Sequence, residues 1–145
     1  MKGWIIYIIF VNAMIAFKLW WDTRAKNNGR IINHGKSVMF DGLLYVISAL
    51  GLIYWMDGYE IWWSIFAILA AASWRWIWFD AIFAKINWGV WEKYGTSSKL
   101  DVLLSRLKKA IGKLHHLIKL LPALIGIILV IIWKSLNSAR SQRRD

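Results

Sequence analysis

Lys18, Asp41 and Arg75 are the side chains best placed to do chemistry, because each interrupts an otherwise apolar stretch. A charge at the centre of a bilayer costs a few kcal/mol or more unless it is paired or hydrated, so such residues need a partner or water. Asp41 lies 15 residues before Met56, Arg75 lies 14 after Ile61, and Lys18 lies 15 after Gly3. At 1.5 Å per helical residue all three sit about 22 Å from one common end. They are expected to form an intramembrane ionic layer in which Asp41 bridges the two cations. The competing arrangement puts this depth near the water boundary, where Lys18 and Arg75 extend to the headgroups and Asp41 caps its helix. Indoles at Trp74, Trp76 and Trp78 surround Arg75. Trp78, three residues on, is the best intrahelical partner for the guanidinium.

Other reactive types are sparse. His34 falls in a basic loop, and His115 and His116 are adjacent on a helix, pointing about 100° apart, so no helical metal-site spacing exists. Ser97 and Ser98 have no readable His and carboxylate arrangement, and helix capping is their expected role. Glycines are scattered, which excludes a phosphate-binding loop, and the absence of cysteine excludes disulfides and thiolate metal sites. No enzyme, cofactor or metal is expected.

The elements that must carry these residues are helices. Gly3 to Trp21, Val38 to Met56 and Ile61 to Phe79 are 19-residue, mainly apolar stretches. Crossing roughly 30 Å of hydrocarbon takes about 20 such residues, so each reads as a transmembrane span, the first retained rather than cleaved. A 59% hydrophobic composition agrees. Leu120 to Trp133 is a shorter run. Its length of roughly 21 Å is compatible with a fourth span flanked by Lys119 and Lys134 or with a re-entrant hairpin. Of the twelve Trp, Trp20, Trp21, Trp55, Trp62, Trp63, Trp78 and Trp133 fall near span ends and are expected as interface anchors. Asn12, Ser48, Gly51, Ala67 and Ala71 permit close helix packing or hydrogen bonding.

Basic residues of short loops stay on the cytoplasmic side. Arg24, Lys26, Arg30 and Lys36 face only Asp22 in the first connection, whereas the second, Asp57-Gly58-Tyr59-Glu60, has two acids and no base. The amino terminus is therefore expected outside, with the second and third spans forming a hairpin closed there. Lys85, Lys93 and Lys99 then return inside. A crossing fourth span would carry Arg140, Arg143 and Arg144 outside, against the rule.

From Ser98 on, ten Lys or Arg oppose two acids, compared with nine against six before it. Ser98-Lys99-Leu100-Asp101 reads as a shortened capping box. Beyond it, Leu100, Leu104, Leu107, Ile111, Leu114, Ile118 and Leu121 make an apolar stripe, opposite which Arg106, Lys108, Lys109, Lys113 and Lys119 are expected to bind lipid headgroups. Such a helix lies in an anionic lipid interface or seams against a second copy.

Arg75-Trp-Ile-Trp-Phe-Asp80 with Tyr94-Gly-Thr-Ser-Ser-Lys-Leu-Asp101 resembles a pattern in small uncharacterised multi-span proteins of Bacteroidetes bacteria and their phages. The similarity covers about a quarter of the chain and implies no transferable activity; it points to phage company, where holins and virion membrane components are found.

The resulting fold expectation is an all-α, polytopic helical membrane protein. Residues 1–97 form a three-span bundle, 98–121 a basic amphipathic interfacial helix, 122–134 a fourth span or re-entrant segment, and 135–145 a basic tail. Function is read as a non-enzymatic structural or holin-like pore subunit that assembles as a homo-oligomer or membrane complex. The alternative is an ion channel or transport accessory whose charged layer lines an aqueous path. Anionic membrane lipid is the expected partner. Nucleic acid is a weaker one, because the aromatics lie in the spans rather than beside the basic helix.

Overall fold

The computed structural model describes residues 1–30, 34–91 and 99–141, leaving the side chains of 34–38, 99–101, 113 and 141 aside. All secondary structure among these residues is helical: α1 Lys2–Asn27, α2 His34–Ala49 continuing as a π-helical stretch Leu50–Met56, α3 Ile61–Trp88, α4 Lys99–Ile111, a 3₁₀ segment Gly112–Leu120, and α5 Leu121–Ser141. Four helical stretches are long and apolar enough to cross a membrane: Lys2–Asn27, Met39–Met56, Ile61–Trp88 and Leu114–Arg140.

The core grows from residues that recur every four positions. On α1 these are Tyr7, Val11, Ile15 and Leu19; on α2 and its π-helical end, Tyr45, Ala49 and Ile53. They close on Ala67, Ala71, Phe79 and Phe83 of α3. That spacing puts successive side chains on one helix face, so each helix offers a seam to its neighbours. The other faces are apolar too. Ile5, Ile9, Leu43, Ile47, Ile128 and Ile131 are among many exposed hydrophobic side chains. A helix apolar on every side suits a large core or a membrane span.

Cross-helix contacts define the directions. Along α1 and α3, Trp4 meets Trp63 at 6.4 Å, the Tyr7 hydroxyl donates to the Ala67 carbonyl at 3.3 Å, and the Trp74 indole N–H donates to Asn12 at 3.1 Å. The Asn87 amide donates to Thr23 at 3.3 Å further on, so these two helices run parallel. Helix α2 is antiparallel to both, with Ser64 donating to the Ala49 carbonyl at 3.3 Å and Asp41 reaching Arg75. Helix α5 is also antiparallel to α3. Its Ala123 N–H donates to Ser73 Oγ at 3.0 Å, and its Trp133 ring lies 5.2 Å from Trp62.

Gly126 lets α5 approach this closely, since a Cβ there would lie 3.1 Å from the Phe66 ring and 3.3 Å from its Cα. The run expected to cross or re-enter thus lies along the full bundle, beginning at Leu114 rather than Leu120.

The amphipathic helix departs from expectation. Instead of continuing to Leu121, α4 ends at Ile111, and Gly112 takes φ +58, a backbone conformation that L side chains resist. Only the 3₁₀ segment contacts α4 among the described elements. The helix does begin at Lys99, as expected. The capping arrangement of Ser98 and Asp101 lies outside the described residues.

Candidate functional site

Ion pairs gather toward the end of the bundle opposite the Asp57–Glu60 loop. Arg75 aims Nε (3.0 Å) and an Nη (2.8 Å) at the same oxygen, Asp41 Oδ2, joining α3 to α2. Both side chains are largely buried. The guanidinium also sits over the Phe79 ring at 4.9 Å, one helical turn on. This differs from the expected Trp78 partner, because Trp78 packs on Trp74 at 5.4 Å.

Lys18 does not share Asp41. Its ammonium pairs within α1 with Asp22, four residues on, and both side chains are buried. The expected three-residue bridge is thus two separate pairs: an i,i+4 partner is already on the same face and needs no second helix to supply it. Asp22 Oδ2 is buried and accepts no hydrogen bond.

The third pair corrects the lipid-binding set. Lys119 is 4% exposed and its Nζ lies 3.0 Å from Asp80 Oδ2, so it ties the 3₁₀ segment to α3 instead of facing headgroups. Arg106, Lys108 and Lys109 are exposed, as the expected role requires, and the Lys113 side chain lies outside the description. Three cations are matched by three carboxylates across α1, α2, α3 and the 3₁₀ segment. A buried charge is tolerated when it has a counter-charge and hydrogen bonds.

The aromatic anchors divide into two groups. Trp20, Trp21, Trp55 and Trp78 are exposed. Trp62 and Trp133 pack on each other, Trp63 meets Trp4, and the Trp133 indole donates to Glu60 at 2.6 Å. Those three therefore serve helix contact. Among the packing residues, Ala67 and Ala71 are buried, whereas nothing lies within 4 Å of a Cβ at Gly51.

At the opposite end, Asp57 caps α1 from across the bundle. Its carboxylate accepts the Gly3 and Trp4 amides at 3.0 and 3.1 Å and meets the amino-terminal ammonium at 2.9 Å. The ammonium contact, helped by these two amides, holds the Asp57 carboxyl below its ordinary range even though burial opposes it. A turn residue thus satisfies donors that open a helix 54 positions earlier.

His115 is buried, with Nδ1 2.5 Å from the Gly112 carbonyl and its ring centroid 4.1 Å from that of His116. The two rings meet although adjacent residues of a 3₁₀ segment diverge by about 120°, so the expected divergence does not keep them apart. Among the described residues no three His, Cys, Asp or Glu side chains gather to hold a metal.

Comparison with protein-family models, curated proteins and solved structures finds no match. Among the described residues the fold is all-helical, with four helices long and apolar enough to cross a membrane.

Proposed function

We propose that this chain is a non-enzymatic, multi-pass membrane protein acting as a structural or holin-like subunit of a membrane assembly. The observation that carries the reading is the pairwise matching of Lys18 with Asp22 and Arg75 with Asp41 inside apolar helices. The Arg75–Asp41 pair fastens α3 to α2, and the Lys18–Asp22 pair neutralises a buried cation within α1. The many exposed hydrophobic side chains support insertion, because soluble monomers rarely leave large contiguous apolar patches in water. All four candidate spans cross, with Met1, the Asp57–Glu60 loop and the α5 carboxy terminus outside. Arg24, Lys26, Arg30 and Lys85 lie inside with α4, whose Arg106, Lys108 and Lys109 contact anionic lipid. Arg140, Arg143 and Arg144 then fall outside, and the larger inner set of bases outweighs them.

One observation favours a second reading, an ion channel or transport accessory. Asp22 Oδ2 is buried with no hydrogen-bond partner although Oδ1 holds Lys18, which leaves one acceptor inside the helices for a water or a passing cation. Reconstitution in dye-loaded vesicles separates the two. A holin-like assembly releases large solutes, and Asp41→Asn reduces that release by weakening the fold. Ion-selective current altered by Asp41→Asn, with no dye release, would establish the second reading instead.

A further inference from the structure

Helix α1 ends beside an open depression of about 760 Å³ that changes polarity along the helix axis. Its inner part is lined by Ala16, Leu19, Trp20 and, from α3, Ile86. One to three turns further, Thr23, Arg24, Asn27 and Asn28 line the rest. From Ala16 to Asn28 is roughly 18 Å at the helical rise, comparable with the roughly 15 Å that one leaflet contributes to the hydrocarbon thickness.

Arg24 is the charged group in this depression. It is exposed, its guanidinium lies 5.4 Å over the Trp20 ring, and no described carboxylate pairs with it. The nearest acid in sequence, Asp22, is buried against Lys18. A helix carboxy terminus normally disfavours anions through its bare carbonyls. Here Asn28, Gly29 and Arg30 donate their amides to the carbonyls of Arg24, Lys26 and Ala25 at 3.1, 3.0 and 2.9 Å, which removes much of that acceptor character. Asn27 and Asn28, whose side chains carry amide donors, also line the depression.

We propose that this depression seats one anionic phospholipid, its phosphate on Arg24 and the Asn27 and Asn28 amides, its upper chain along Leu19, Trp20 and Ile86. Charge complementarity selects the headgroup, and the apolar half selects an amphiphile over a free anion. The inference rests on the membrane reading, and it is distinct from the headgroup contacts assigned to α4.

The test is titration of the full chain, purified in neutral detergent, with phosphatidylglycerol, phosphatidylcholine or inorganic phosphate, counting retained molecules by native mass spectrometry. Phosphatidylglycerol is expected to bind more tightly than phosphatidylcholine. Arg24→Gln weakens phosphatidylglycerol about fivefold, the effect of one basic residue at an anionic surface. Arg140→Gln, an exposed cation on α5, leaves it unchanged. Should Arg24→Gln lower helix content, Arg24→Lys keeps the charge and is expected to retain most of the affinity. Equal binding by wild type and Arg24→Gln overturns the proposal, and so does displacement of the lipid by millimolar phosphate. Recovery of the chain in the soluble fraction of lysed cells would instead defeat the membrane reading itself.

Discussion

Deleting one member of the Asp41–Arg75 pair strands the other, since both are largely buried and Nε and one Nη of Arg75 point at one oxygen. Breaking a buried pair this way costs about 3–5 kcal/mol, whereas replacing both partners with apolar residues is often neutral or stabilising. Asp41→Leu is therefore expected to lower the unfolding midpoint strongly, and adding Arg75→Met should restore it. Denaturation in mixed micelles measures both, and a double variant no better than the single one contradicts the pairing. Asp57 behaves differently because it titrates outside the spans. Its folded carboxyl is held below the ordinary range, so its contribution is present above the unfolded pKa and is lost as pH falls through the depressed folded value. Protection of the Gly3 and Trp4 amides from hydrogen exchange, taken relative to a free peptide at each pH, should persist down to about pH 5 and fall only below the ordinary carboxylate range. Asp57→Asn should lower that protection at neutral pH, and wild-type protection that falls between about pH 7 and 5 rules this cap out.

The contact of α5 with α3 depends on a missing side chain at Gly126, which a Cβ would push against Phe66. Gly126→Leu should cost about 1–3 kcal/mol by overpacking. The chain has no cysteine, so Ser73→Cys with Ala123→Cys reports the contact as a disulfide. Its yield is expected to fall when Gly126→Leu is added, and an unchanged yield contradicts the packing. Much of the helical layout was legible beforehand, because long apolar runs bounded by Asp57-Gly58 and by basic loops leave few alternatives. The break after Ile111 was not. A lone glycine is tolerated inside a helical pattern, and the apolar stripe keeps its three-and-four spacing straight across Gly112. Among the charged residues, Lys18, Asp41 and Arg75 stood out by their apolar surroundings. The Asp41–Arg75 contact was half of the expected bridge, but the partner of Lys18 was missed because Asp22 looked like a loop residue, and Asp80 and Lys119 are 39 positions apart, which no local spacing reveals.

At the scale of the molecule, four apolar stretches alternate in direction and expose hydrophobic side chains on their outer faces. The fourth is longer than the uninterrupted apolar run between Lys119 and Lys134. Leu114, Leu117 and Ile118 extend it before Lys119, and Lys134 turns its ammonium over the Trp63 ring at 5.1 Å. Long cationic side chains at a span end can lie along apolar surface while the charge stays near water. With α5 antiparallel to α3, Ala139 belongs to the Asp57–Glu60 end and Asn28 to the other. Single cysteines at Tyr59, Ala139 and Asn28, probed with a membrane-impermeant maleimide in intact cells and in inverted vesicles, test the account most directly. Tyr59→Cys and Ala139→Cys should label only in intact cells, and Asn28→Cys only in inverted vesicles. Labelling of Ala139→Cys together with Asn28→Cys on one side would contradict four crossings.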